Sequence, residues 1–188
     1  MKSIVMPDFG KMIMMTAVFV GCVLFATHSF AGGPSVGDAA PDFSSLSTSG
    51  RFFELSGLEG KPLLLSFWSD WCSSERQELN FLKKVSERYP EVVIAIVDAE
   101  SGTPSIRSLT RIASSLAEFG VGAKILVDRD LKVTGLYNVT ALPTSMVIDP
   151  SGKITYRQPN FFKSDMDEVS SSIDRAVSVS LLQKREVH

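Results

Sequence analysis

Apolar residues come along this chain in two patterns. One is the short, nearly continuous block, as in Leu63-Leu64-Leu65-Ser66-Phe67-Trp68 and Val92-Val93-Ile94-Ala95-Ile96-Val97. Such blocks predict strands buried on both faces. The other is helical spacing. From Cys72 onward Leu79, Leu82, Val85 and Tyr89 fall near one face, and Pro90 stops the helix. A second helix is predicted with Thr103 as its N-cap, Pro104 in its first turn, and Ile106, Leu109, Ala113 and Leu116 as its stripe, ending at Gly120.

Lys124 to Val127 follows as a third strand, then a short helical stretch from Leu131 to Leu136. Ser145 to Ile148 and Lys153 to Tyr156 flank Asp149-Pro150-Ser151-Gly152, which predicts an antiparallel hairpin. The last helix opens with Ser164 and Asp167 at capping-box spacing and carries Met166, Val169, Ile173, Ala176 and Leu181 on its apolar face. Ahead of all this, Val36 to Phe43 is an extended, proline-restricted segment, and Phe52 to Leu55 is a short edge strand. Alternating strands and helices closed by a hairpin predict an α/β domain: a central mixed sheet flanked by helices.

The first 31 residues follow a different rule. Lys2 and Lys11 precede an uncharged run from Met12 to Ala26, and Ser29-Phe30-Ala31 forms a small-x-small cleavage signal. This order predicts a signal peptide over residues 1–31 and a single domain over 32–188. The apolar run is shorter than the ~20 residues of a spanning helix, and a retained anchor is the alternative. The expected location is the periplasm or another exported site, with membrane attachment only if that segment stays.

Composition narrows the chemistry. Nineteen Lys and Arg against 21 Asp and Glu leave no basic excess, so no nucleic-acid partner is expected. The chain of 188 residues has two Cys and two His. That scarcity argues against a Cys/His zinc site and a multi-disulfide scaffold, and no metal or cofactor is expected. Cleavage after Ala31 would also remove Cys22 and His28, leaving Cys72 as the sole thiol.

Phe67-Trp68-Ser69-Asp70-Trp71-Cys72 resembles the active-site approach of the thioredoxin superfamily. More narrowly, Gly37-Asp38-Ala39-Ala40-Pro41-Asp42-Phe43, Gly60-Lys61-Pro62 and Leu142-Pro143-Thr144-Ser145 resemble the TlpA/ResA-like periplasmic thiol-disulfide oxidoreductases. The resemblance covers Val36 to Gln158 and implies a thioredoxin-like fold with an N-terminal extension and an inserted helix. It implies a cis peptide at Pro143, with Trp71, Leu142 and Pro143 bordering a substrate groove. The pattern departs at one position: the family's W-C-x-x-C is here Trp71-Cys72-Ser73-Ser74-Glu75, so Glu75 replaces the resolving cysteine. Ser66 stands where ordinary thioredoxins carry a buried Asp.

Cys72 at a helix N-terminus is expected to be a partly exposed, reactive thiol, because the helix dipole favours a thiolate. Glu75 opposes that with a nearby negative charge, and is either a helix-end carboxylate or a proton-handling group. Glu100 falls at the strand end where the family places an active-site acid. Three functions stay open. One is an exported thiol protein acting through one cysteine on disulfides or thiols of periplasmic proteins or small thiols. Another is a one-cysteine, peroxiredoxin-like thiol peroxidase. The third is a non-catalytic polypeptide-binding module.

Overall fold

A computed structural model describes residues 32–186 other than 59, 73–75, 100–104 and 161–162. The expected export segment, Glu75, Glu100, Thr103 and Pro104 lie outside the described residues. Strands β1 (Ser44–Ser47), β2 (Phe52–Glu54) and β3 (Leu63–Trp68) come first, then α1 (Arg76–Arg88), β4 (Val93–Asp98), α2 (Ile106–Glu118), β5 (Lys124–Val127), α3 (Lys132–Leu136), the strand pair β6 (Thr144–Ile148) and β7 (Ile154–Pro159), and α4 (Met166–Glu186).

The strands form one sheet in the order β2-β1-β5-β4-β3-β6-β7. Its centre is parallel, β3 with β4 and β4 with β5, and its flanks are antiparallel. The continuous apolar blocks occupy that centre: every residue of β3 is buried, as is all of β4 after Val93. They read as continuous because both faces are covered. One face packs Leu64, Trp68, Ile94 and Ile96 against Leu79 and Leu82 of α1, Ile112 and Leu116 of α2, and Val169 and Ile173 of α4. The other packs Leu63, Leu65, Phe67 and Val97 against Phe43, Phe53, Val133 and Tyr137. Each fully buried aliphatic side chain contributes about 1.5–3 kcal/mol.

The extended segment before β1 is held on that second face. The Tyr137 hydroxyl donates to the Pro41 carbonyl at 2.8 Å, and Phe43 meets the Tyr137 ring edge-on. Gly33, at φ +73°, passes so close to Asn138 that a Cβ there would lie 2.4 Å from the Asn138 Cβ. A glycine is required at that approach.

Three sequence expectations shift. The cap of α2 is Ser105, whose hydroxyl accepts from the Ser108 N–H at 2.9 Å, rather than Thr103. Ser164 lies in a 3-10 turn, Lys163–Asp165, and its hydroxyl faces the Asp165 carboxylate instead of forming a capping box. Strand β1 has no strand pattern of its own, because Ser44-Ser45-Leu46-Ser47 has only one apolar residue; its pairing with β2 and β5 makes it a strand.

Candidate functional site

The site grows from the end of β3. Pairing of Phe67 with Thr144 sets the start of β6 beside it, so the peptide before Thr144 falls at the same sheet end as the cysteine turn. The Leu142–Pro143 bond there is cis, as the resemblance implied. Leu142 is partly buried and packs against both cores, while Trp71 is 54% exposed. Leu142, Pro143 and the turn bearing Trp71 and Cys72 are therefore at one end of the sheet. Glu75 and Glu100 are not placed.

Cys72 corrects the expectation of a partly exposed thiol. It has 0% exposure and belongs to the cluster shared by Trp68, α1, α2 and α4. Its N–H donates to the Ser69 carbonyl at 3.1 Å, closing a tight turn, and the Ser69 hydroxyl lies 3.8 Å from Sγ. Burial pushes the thiol from its ordinary 9.0 up to about 11. The contacts to Ser69 favour the thiolate, but desolvation outweighs them, and the Glu78 carboxylate adds to the upward push. In the closed site Cys72 is a protonated thiol at neutral pH.

Glu78 is the participant that reading the sequence missed. It is 4% exposed, and its Oε1 accepts from the Trp68 indole N–H at 2.9 Å. The buried indole thus gains its hydrogen bond, and a carboxylate is held near the sulfur. A signal existed: Glu78 precedes Leu82 by four and Val85 by seven, a charged residue on the apolar stripe of α1. Such a residue is rarely buried without a partner.

Ser66, in place of a buried acid, pairs with Ser145 across β3 and β6, their hydroxyls 2.8 Å apart. Asp98 is also buried, at the end of β4 opposite Trp68, and its Oδ1 accepts from the Ser108 hydroxyl at 3.1 Å. Among the described residues no cluster of His, Cys, Asp or Glu is arranged to hold a metal ion, and Cys72 is a free thiol.

A mixed sheet that carries a cysteine turn after its central strand, with a cis-proline at the same end, defines a thioredoxin-like thiol protein. Residues 36–157 match the AhpC/TSA family model, and the chain belongs to that family, on its TlpA/ResA-like side. It is 32% identical over 127 residues to the thiol-disulfide oxidoreductase ResA of Bacillus subtilis, covering 66% of this chain and 69% of ResA. Thioredoxin-like protein YneN of the same organism is 30% identical over 146 residues, covering 77% and 84%. Among solved structures, a putative thiol:disulfide interchange protein DsbE from Chlorobium tepidum aligns with a TM-score of 0.64 at 25% identity, over 76% of this chain and 98% of that one.

Proposed function

We propose that this protein is an exported thioredoxin-like thiol protein that exchanges with disulfides or thiols of periplasmic proteins or small thiols through Cys72 alone. The carrying observation is a single thiol in the turn after β3, at the sheet end of cis-Pro143, with Glu75 at the position of the second cysteine. The relatives named as thiol-disulfide oxidoreductases support the reaction class. Residues 1–31 are the export segment in this reading, and Gly32 onward the working domain.

The reaction follows from one sulfur. The Cys72 thiol loses its proton and attacks one sulfur of a partner's disulfide. A Cys72–partner disulfide forms, and the displaced partner sulfur leaves as a thiolate that takes up a proton. Glu75 has no sulfur to complete the exchange, so a second thiol, from the partner or a small molecule, attacks the mixed disulfide and restores Cys72. Trp71, Leu142 and Pro143 border the groove in which an extended partner strand lies. Because Cys72 is buried and hard to ionise, the turn has to open for the exchange to start, and Glu78 adds to the barrier until it does.

The peroxidase alternative has one contact in its favour, the Ser69 hydroxyl beside Sγ. The thiol pKa of about 11 weighs on both readings alike, because peroxide attack and disulfide attack each need the thiolate; cis-Pro143 at the same sheet end favours exchange with an extended partner. Incubation of the purified protein with a disulfide-bonded peptide, followed by intact mass, tests the main reading. A peptide adduct on Cys72 that persists until a small thiol is added is expected. Absence of the adduct, with rapid consumption of hydrogen peroxide instead, would select the peroxidase.

A further inference from the structure

Leu142 and Pro143 sit on the segment that joins α3 to β6, and side chains pin that segment at both ends. At its far end the Thr144 hydroxyl donates to the Ala141 carbonyl at 2.6 Å, closing the chain around Leu142 and Pro143. At its near end α3 stops in a Schellman pattern through Asn138, whose φ of 46° is left-handed. The Asn138 N–H donates to the Gly135 carbonyl and the Val139 N–H to the Thr134 carbonyl, each at 3.0 Å. Further along, the Tyr137 and Asn138 carbonyls are taken by a residue from elsewhere in the chain. Arg157 of β7 donates from Nη2 to both, at 3.0 Å and 3.1 Å.

Sheet register brings Arg157 to that point. It lies opposite Met146 in the β6–β7 pair, with Nη1 3.6 Å from the Met146 sulfur, so its side chain crosses β6 on the Tyr137 face. Its charge has no ordinary use there. Among the described residues no carboxylate pairs with Arg157, and burial lowers its pKa with no neighbouring charge to offset the cost. A half-buried cation is thus directed at two main-chain carbonyls at the start of one segment. A guanidinium holds its N–H groups in a fixed plane, whereas an ammonium on a flexible stem fixes no such direction.

We propose that Arg157 is a positioning residue that sets where Leu142 and Pro143 stand, and thereby gives the protein a preference for extended polypeptide disulfides over small ones. The inference rests on the exchange function proposed above and narrows its substrate class. An extended partner strand lies along Leu142 and Pro143, so its reaction depends on the place of that segment. A small disulfide has no strand to lay there and needs only access to the Cys72 sulfur. Arg157 acts through the Tyr137 and Asn138 carbonyls, on the sheet face opposite the cluster that holds Cys72.

The test compares two disulfides on the whole protein. One is the disulfide dimer of a short, uncharged peptide with a single cysteine; the other is hydroxyethyl disulfide, small and also uncharged. Rate constants for adduct formation on Cys72 come from quenched samples and intact mass, in the parent, R157M and R157K. R157M keeps a side chain over Met146 and removes the donors. Its peptide rate is expected to fall about tenfold, while its hydroxyethyl disulfide rate stays within about twofold of the parent. R157K keeps the charge without the planar donors and should fall between the two. K153Q removes an exposed charge from the same hairpin and should leave both rates alone.

The ratio of the two rates separates positioning from general stability. A ratio that stays at the parent value in R157M, a fall shared equally by both disulfides, or an equal fall in K153Q would overturn the proposal. If R157M does not fold, R157K decides by the same ratio. A binding measurement keeps this apart from the chemistry. In a C72S background, R157M should weaken the affinity for the reduced, linear peptide about tenfold. That weakening without any adduct in the parent would refute the exchange function only. Adducts with an unmoved ratio would refute the role of Arg157 only, and neither adduct nor peptide binding would refute both.

Discussion

Two chain crossings leave the same end of the sheet and treat their buried polar group in opposite ways. After β5 the chain turns through Asp128, whose carboxylate accepts from the Val133 N–H at 2.9 Å, the Thr134 N–H at 2.8 Å and the Thr134 hydroxyl at 2.6 Å. Those bonds fix the start of α3 and hold Asp130 and Leu131 in left-handed conformations, φ 58° and 52°. After β3 the chain turns through Cys72, whose sulfur has a long contact to the Ser69 hydroxyl and a carboxylate nearby that opposes its ionisation. At the first crossing a buried charge is matched to three donors and sets the backbone. At the second, a thiol that is already protonated at neutral pH is kept so, far into the alkaline range, by burial. The first arrangement is structural; the second stores reactivity behind a barrier.

The largest test of that contrast is a pH profile. Cys72 ionises only near pH 11, so its alkylation rate should climb about tenfold per pH unit through the neutral and alkaline range, about a thousandfold from pH 7 to pH 10. An ordinary thiol would level off above its pKa of 9.0. A plateau below pH 9 would show that Cys72 is not kept neutral. Linkage gives the sign for stability. The fold holds the thiol proton more tightly than the unfolded chain does, so the contribution is intact below pH 9 and is lost as pH rises from 9.0 to about 11. Denaturant midpoints in that interval, compared with those of C72A, should show the fall.

Breaking the other crossing comes next in size. D128A would strand two backbone N–H groups and a hydroxyl in the interior, costing about 3 kcal/mol in urea unfolding. D128N keeps one acceptor oxygen and should lose less. If D128A costs under about 1 kcal/mol, the crossing is held by packing and the contrast fails.

Ser66 and Ser145 form a buried pair with no charge at all. S66A or S145A alone would each cost about 1–2 kcal/mol by orphaning the other hydroxyl, while the double variant should cost less than the sum. Strict additivity would show that the two hydroxyls do not depend on each other.

E78Q has the smallest expected effect. It keeps an oxygen to accept from the Trp68 indole and removes the charge beside the sulfur, so the thiol pKa should fall. Burial is the larger cause and persists, so alkylation at neutral pH should rise only a few-fold. A rate that falls would mean that Glu78 assists removal of the proton.

Much of the fold was legible because the central strands announce themselves. Leu63–Trp68 is a strand with the bounds its apolar block suggested, and Lys124–Val127 likewise. The cis-proline came from the Leu142-Pro143-Thr144 match and is present. Strand β1 was hidden because its partners, β2 and β5, supply its hydrogen bonds from elsewhere in the chain. Glu78 was hidden for a related reason: a carboxylate on a helix reads as surface until a partner such as the Trp68 indole is brought to it.

The sequence by itself determined that Cys72 is the sole thiol after residue 31, that it follows a buried strand, and that Glu75 stands where W-C-x-x-C carries its second cysteine. It could not determine the state of that thiol. Position at a helix start favours a thiolate, whereas packing under Trp68 and three helices, with Glu78 close by, favours the protonated form. The tertiary structure decided between them, because desolvation depends on how many residues from distant parts of the chain converge on one sulfur, and spacing along the sequence does not encode that convergence.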